Sequence, residues 1–238
     1  MITNKINVKI NKNKLTLYSS IKAFKPTATT DFLLKDALTV IKKPMDVLDL
    51  GCGIGIIAIM INKHLKNKKK IYASDVSTAA NTVAKKNFEL HKCNYDLREG
   101  SLFEPWKNEK FDLIINDVSG ISEKIAKKSK WFKNVSCRSG IDGTKLTLKV
   151  ISASKKHLNK NGAIIFPIIS LSNGKKVIQK LKSKFTKVKI LSENYWFLPK
   201  DLEFFKEELE NMKKKKLINY DLKFGKIICS TKIIYAKI

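Results

Sequence analysis

Histidine is scarce and paired cysteines are absent in this chain of 238 residues. The four cysteines, Cys52, Cys93, Cys137 and Cys229, form no C-x-x-C pair and join no histidine cluster that would complete a zinc site. This pattern argues against both a disulfide framework and a structural zinc ion. We therefore expect reduced thiols and no bound metal.

Long apolar runs are also missing. The longest, from Ile54 to Ile61, has eight residues, far short of the ~20 that a membrane-spanning helix needs. The first residues, from Met1 to Ile6, do not resemble a signal peptide. We therefore expect a cytoplasmic protein without a membrane partner.

Arginine is rare although the chain is strongly basic. Only Arg98 and Arg138 are arginine among 48 basic residues, and the net charge is +27. Such a charge attracts polyanions at low salt. Arginine, however, is the side chain that forms bidentate hydrogen bonds with phosphates and guanines, so its rarity weakens a nucleic-acid interpretation. The lysines are spread along the chain among many Ile and Asn residues, a bias typical of an AT-rich genome. We favour a solvated lysine surface, with an RNA-binding face as the alternative.

The composition predicts one domain. Hydrophobic residues make up 43% of the chain, enough for a sizeable core, and no linker divides it. Near the start, Ile6, Val8 and Ile10 alternate with polar residues, and Leu15 and Leu17 resume the alternation. This pattern predicts a hairpin. We expect residues 1–23 to form a β-hairpin extension of a core that spans residues 24–238.

Residues 47–59 predict a buried strand, a glycine turn and the start of a helix. Gly51, Gly53 and Gly55 follow the strand at alternate positions, and Asp49 lies two residues before the first of them. Such a turn lets a ligand contact backbone N–H groups at a helix N-terminus. A dinucleotide fingerprint places its glycines at first, third and sixth positions. The spacing therefore disfavours NAD. A tight turn without a ligand is the simpler alternative.

Acidic residues follow two later strands. Asp75 ends the apolar segment that begins at Ile71, and it lies twenty residues beyond Gly55, where an acid can accept hydrogen bonds from ribose hydroxyls. Asp117 follows the apolar segment 111–116. Ligands gather at the carboxyl ends of parallel strands, so we expect Asp117 near the reacting centre. A surface aspartate that caps a turn is the alternative for Asp75.

The order of the segments predicts an α/β fold with a doubly wound sheet. Strands alternate with helices from residue 47 onward, which is typical of parallel βαβ units. Residues 203–213 look helical, and a last apolar strand covers residues 227–236.

The ordered motifs resemble class I S-adenosylmethionine (SAM)-dependent methyltransferases of the small-methyltransferase group. This group includes release-factor glutamine and ribosomal RNA guanine N-methyltransferases. The resemblance covers roughly residues 24–170 and rests on D-x-G-x-G-x-G at 49–55 and on the segments 71–77, 100–105, 111–115 and 140–143. It implies a Rossmann-like, mostly parallel seven-stranded sheet with an antiparallel C-terminal edge strand, and SAM as the cofactor.

The resemblance also implies which residues bind the cofactor. Asp49 and the glycines would hold the methionine portion, Asp75 with Val76 the ribose and the adenine edge, and Ser101 with Leu102 the adenine. The full set of expected cofactor-binding residues is Asp49, Gly51, Cys52, Gly53, Gly55, Asp75, Val76, Ser101, Leu102 and Asp117.

The chain departs from the family where the acceptor binds. Members that methylate a planar amide or amino group carry N-P-P-Y or D-P-P-Y after the fourth strand, whereas this chain has Asp117-Val118-Ser119-Gly120, which keeps the acid but lacks both prolines and the tyrosine. An aromatic lid for a flipped base or a glutamine amide is missing, so the acceptor stays open between a small molecule, a protein and RNA. We expect Asp117 to be catalytic, chiefly by orienting the acceptor.

Four further residues are expected to contact the acceptor: Thr30, Val118, Ser119 and Trp131. Residues 27–30 could instead be a helix-capping loop. Trp131 and Phe132, next to Lys127, Lys128 and Lys130, could instead dock into the core. The predicted function is methyl transfer by in-line displacement, with a non-catalytic RNA- or protein-binding module as the alternative.

Overall fold

The computed structural model describes residues 3–66 and 68–238, so Met1 and Ile2 of the expected extension, and Asn67, lie outside the described residues. Its strands are β1 (Asn4–Ile10), β2 (Asn13–Ser19), β3 (Val47–Leu50), β4 (Ile71–Asp75), β5 (Tyr95–Glu99), β6 (Phe111–Asn116), β7 (Leu158–Ile169), β8 (Lys187–Phe197), β9 (Asp221–Lys223) and β10 (Lys226–Lys237). Its helices are α1 (Ala28–Val40), α2 (Ile56–His64), α3 (Thr78–Leu90), α4 (Glu123–Lys128), α5 (Lys145–Ser154), α6 (Gly174–Lys182) and α7 (Lys206–Lys214).

The central sheet has the strand order β5-β4-β3-β6-β7-β10-β8, and β9 pairs with β10. The strands from β5 to β7 are parallel to their neighbours, whereas β10 is antiparallel to both β7 and β8. The α/β class and the mostly parallel sheet with an antiparallel C-terminal strand are confirmed. The C-terminal strand β10 lies between β7 and β8, so the antiparallel hairpin of β8 and β10 ends the sheet with β8 outermost, and the short β9 is an eighth strand.

Helices cover both faces of the sheet because its central strands are apolar on both sides. On one face, α1, α2 and α3 bury Leu33, Ile57 and Val83 against the sheet. On the other face, α5 and α6 bury Val150 and Leu181. This three-layer arrangement is the one that a doubly wound parallel sheet requires. No helix in the described part of the chain is long and apolar enough to cross a bilayer.

The predicted N-terminal hairpin is confirmed as the pair β1–β2, which turns at Asn11 and Lys12. Asn87 of α3 ties it to the core: its Oδ1 accepts the Tyr18 N–H at 2.6 Å, and its Nδ2 donates to the Tyr18 and Ile54 carbonyls. Leu17 of β2 is buried in the same apolar cluster as α2. The boundary at residue 23 stays a prediction.

A third apolar cluster lies at the carboxyl edge of the sheet. We call the elements that build it the cap: α4, the 3₁₀ turns Lys130–Phe132 and Lys200–Phe205, and α7. Ile125, Leu202 and Leu209 are buried in this cluster. The cap follows the carboxyl ends of β6 and β8, so it stands beside the edge at which ligands of parallel sheets bind.

Candidate functional site

The turn between β3 and α2 presents backbone at the carboxyl edge. Gly51, Gly53 and Gly55 have φ values of +80°, +56° and +86°, in the left-handed region that glycine tolerates best. The N–H groups of Gly51 and Cys52 both donate to the Ser74 carbonyl in β4, at 2.9 and 3.0 Å. These two bonds fix the turn against the neighbouring strand.

Close contacts as well as φ require glycine at two of these positions. A Cβ at Gly51 would lie 2.9 Å from Cγ1 of Val118, and a Cβ at Gly55 would lie 2.6 Å from Cε1 of Phe88. At Gly53 the nearest atom would be 3.5 Å away, an ordinary contact. Gly51 therefore lets the segment after β6 approach the turn, and Gly55 lets α3 pack against the start of α2.

Asp75 links the end of β4 to the glycine turn. Its Oδ2 accepts the N–H of Gly53 at 3.0 Å, and its Oδ1 accepts the N–H of Ser77 at 2.9 Å. Burial raises the pKa of Asp75 above its usual value, while these two hydrogen bonds act in the opposite direction. Each carboxylate oxygen can accept a further hydrogen bond, so Asp75 can still bind hydroxyl groups of a ligand.

Asp117 stands at the end of β6, where its N–H donates to the Leu50 carbonyl at 3.1 Å. Its Oδ2 accepts the hydroxyl of Thr30 at 3.1 Å, which joins the start of α1 to the same site. Burial raises the pKa of Asp117 to about 7, although the Thr30 hydrogen bond favours the charged form. This carboxyl group therefore changes its protonation near neutral pH, as a general base or an orienting group can require.

Asp49 lies behind the glycine turn rather than in front of it. Its side chain is 0% exposed; Oδ2 accepts the N–H of Ala58 in α2 at 3.0 Å, and Oδ1 has no partner among the described residues. Burial, followed by repulsion from Asp117, raises its pKa to about 8. Asp49 is thus a buried acid that supports the turn. Within residues 3–66 and 68–238, no three His, Cys, Asp or Glu side chains come together as a metal site.

One cavity of about 620 Å³ joins these elements, a volume typical of small-molecule sites. Most of the predicted residues line it: Thr30, Gly51, Cys52, Gly53, Asp75, Val76, Ser101, Leu102, Asp117, Val118, Ser119 and Trp131. Asp49 and Gly55 do not, because the first is buried beneath α2 and the second faces Phe88. The structure therefore brings together residues that are more than 80 positions apart in the sequence.

Four aromatic side chains line the cavity in two pairs. The ring centroids of Trp131 and Trp196 are 5.8 Å apart and nearly perpendicular, and those of Phe24 and Phe132 are 5.0 Å apart. All four side chains are half-buried. Trp131 and Phe132 also pack against the apolar cluster of the cap, in which α4 buries Ile125. The segment therefore docks into the core, and its contact with an acceptor stays a prediction.

Sequence reasoning missed several lining residues: Phe24, Arg138, Leu146, Pro167, Ile169 and Trp196. Trp196 had a local signal, since Tyr195 and Phe197 flank it in an aromatic run at the end of β8. Arg138 could have been singled out as one of only two arginines in the chain. The lysines Lys127, Lys128 and Lys130 are exposed and are not among the lining residues.

Comparisons with known proteins agree on one family. Residues 25–117 match the family model described as "Methyltransferase small domain". A putative protein N5-glutamine methyltransferase from Methanocaldococcus jannaschii is 31% identical, over 77% of this chain and 89% of that protein. A release factor glutamine methyltransferase from Geobacter sulfurreducens is 29% identical, but the match covers 58% of this chain and only half of that protein.

A solved structure supports the fold. The 16S rRNA N2 G1207 methyltransferase of T. thermophilus, in complex with AdoMet and guanosine, superposes with a TM-score of 0.64 at 11% identity. The superposition covers all of this chain and 51% of that one. At this identity the similarity concerns the fold alone.

Proposed function

This chain belongs to the methyltransferase small-domain family and is a SAM-dependent methyltransferase, and we propose that its cavity binds SAM at the glycine turn and a methyl acceptor beside Asp117. One observation carries the proposal: a single cavity is lined by the glycine turn, Asp75, Asp117 and the aromatic residues. Donor and acceptor can therefore meet without crossing solvent.

The residues around the glycine turn suit SAM. Gly51 and Gly53 present backbone to the cavity, and the half-buried carboxylate of Asp75 can accept two ribose hydroxyls. Val76, which is 69% exposed, and Leu102 offer apolar contacts to a flat adenine ring. Asp49 supports the glycine turn from beneath through the hydrogen bond that it accepts from the Ala58 N–H. When it ionises, its negative charge also attracts the sulfonium of SAM.

When bound, SAM supplies a methyl group activated by its sulfonium charge. The protein then needs mainly to align donor and acceptor. The Thr30 hydroxyl holds one oxygen of Asp117, which leaves the other free to accept an acceptor N–H or O–H. A positive charge nearby would lower the pKa of Asp117 again, because opposite charges favour the ionised form. Asp117 orients the acceptor and can take its proton above about pH 7.

The acceptor does not follow from the relatives. Two of them are named for the methylation of protein glutamine, whereas residues 117–120 of this chain are Asp-Val-Ser-Gly. Neither a planar amide nor a base can be held here by the two prolines and the tyrosine of N-P-P-Y. The cytoplasmic location stays a prediction.

Calorimetry with SAM tests the cofactor end. Asp75→Ala should weaken SAM affinity at least about tenfold, since it removes hydrogen bonds to a charged group. Asp221→Ala, which removes an exposed carboxylate in β9, should leave the affinity unchanged. Equal SAM affinity in the wild type and Asp75→Ala would reject the ribose assignment.

Transfer of a labelled methyl group tests the acceptor end. The enzyme is incubated with labelled SAM and with separate cell fractions of small molecules, RNA and protein, so that the labelled fraction identifies the acceptor class. Asp117→Asn should reduce turnover about 100-fold at saturating SAM while SAM still binds. Preserved turnover in this variant would remove Asp117 from the catalytic machinery.

A further inference from the structure

Part of the cavity lining is apolar and comes from residues outside the proposed cofactor set. This region is formed by Trp131 and Phe132 in the cap, by Ile169 at the end of β7, by Trp196 in β8, and by Phe24 in the segment before α1. Nε1 of Trp196 donates to the Thr231 hydroxyl at 3.0 Å, which fixes that ring. Flat, immobile, apolar walls suit a planar acceptor.

Arg138 brings a positive charge to the lining, in the same loop as Asn134 and Ser136. It lines the cavity, is exposed, and in the described part of the chain its guanidinium has no hydrogen-bond or ion-pair partner. The other arginine, Arg98, is fully engaged: it forms ion pairs with Asp96 and Glu109 and stacks on Trp106. In a chain that otherwise uses lysine for positive charge, both arginines stand where a planar, forked donor is useful.

The cavity lining carries charges of both signs. Its carboxylates belong to Asp75 and Asp117, and its cationic side chains belong to Lys22 and Arg138. A cationic cofactor fits the first group, and an anionic group of the acceptor fits the second. Two cations are too few to follow a polynucleotide backbone, which needs a row of them.

We infer that the methyl acceptor is a small planar molecule whose carboxylate is bound by Arg138 while its ring lies among the aromatic side chains at the cap. This inference rests on the proposed methyl transfer. A lone pair on a ring oxygen or nitrogen forms the bond to the methyl carbon, the carbon–sulfur bond breaks with its electrons on sulfur, and the acceptor proton passes to Asp117. Methylated acceptor and S-adenosylhomocysteine are the products.

Matched ligand pairs test the role of Arg138. In the presence of saturating S-adenosylhomocysteine, calorimetry measures the affinities of 4-hydroxybenzoate and indole-3-acetate against the carboxamides of the same ring systems. The wild type should bind the carboxylates at least tenfold more tightly. Arg138→Gln should abolish this preference, Arg138→Lys should retain part of it, and Lys133→Gln, an exposed lysine in the same loop, should keep it entirely.

Labelling gives an independent second readout. With labelled SAM, the label should enter the small-molecule fraction that an anion exchanger retains, and Arg138→Gln should raise the acceptor KM more than it lowers kcat. Three results would overturn the inference. The wild type could bind SAM but show no preference for carboxylates, the preference could survive in Arg138→Gln, or the label could enter RNA or protein. Failure of the wild type to bind SAM would instead reject the proposed function itself.

Discussion

Replacement of Asp49 by asparagine should change how the stability of the fold depends on pH. The buried carboxyl group has a pKa of about 8, because burial disfavours its charge and Asp117 repels it, whereas an unfolded aspartate titrates near ~3.9. Between these values the folded protein holds a proton that the unfolded chain has lost. The free energy of unfolding therefore falls as the pH rises from about 4 to about 8.

The magnitude follows from the two pKa values. One pKa unit corresponds to about 1.4 kcal/mol, so ionisation of Asp49 lowers the free energy of unfolding by about 2 kcal/mol between pH 6 and pH 8. Asparagine has nearly the same shape, can accept the Ala58 N–H through its Oδ1, and does not ionise. Between pH 6 and pH 8, the free energy of unfolding of Asp49→Asn should therefore fall by about 2 kcal/mol less than that of the wild type.

Urea unfolding followed by circular dichroism at about pH 6, 7 and 8, without cofactor and at constant ionic strength, measures the difference. Asp221→Asn, at an exposed position in β9, is the matched control and should follow the wild type. The assignment of a buried, protonated Asp49 would be refuted if the free energies of unfolding of the wild type and Asp49→Asn changed in parallel with pH. A steeper fall in the variant would refute it as well.

Two other predictions concern the same site. Gly55→Ala should lose at least about 2 kcal/mol of stability, since the new Cβ would lie 2.6 Å from the Phe88 ring at a left-handed φ; Gly225→Ala, also left-handed but with no atom within 4 Å, should lose only about 1 kcal/mol, and equal losses in urea unfolding would contradict the contact. SAM affinity should rise between about pH 6 and pH 8, because a cation favours the ionised forms of Asp49 and Asp117. Calorimetry with S-adenosylhomocysteine, which lacks the sulfonium charge, should show a smaller rise, and equal pH profiles would argue against these two acids.

The cofactor end was predictable because its determinants are local in the sequence. The strand, the turn and the helix at residues 47–59 are contiguous, and Asp75 and Asp117 follow the carboxyl ends of strands that a parallel sheet must align. Because successive side chains of β3 point to opposite faces of the sheet, the sequence also places Asp49 on the face opposite Leu48 and Leu50. It does not reveal that α2 covers the carboxylate, since that depends on how closely the helix packs.

Phe24 and Trp196 could not be predicted as lining residues because their positions depend on long-range register and packing. Trp196 reaches the cavity only when β8 pairs with β10, and that pairing contains an irregularity between Ile233 and Ile234. A shift of one residue would turn Trp196 to the other face of the sheet. Likewise, Phe24 and Phe132 are more than a hundred positions apart and meet only through the cap.

The family match covers only part of the cavity lining. The matched segment ends at Asp117, and it contains the glycine turn, Asp75 and the residues that we propose to contact adenine. Arg138 and Trp196 come from beyond it. The binding of the methyl donor can therefore be inferred from the family, whereas the acceptor has to be inferred from the charges and shapes of this chain alone. Because the match ends at Asp117, the carboxylate that we propose to orient the acceptor lies where the family segment meets the part of the lining that the family model does not cover.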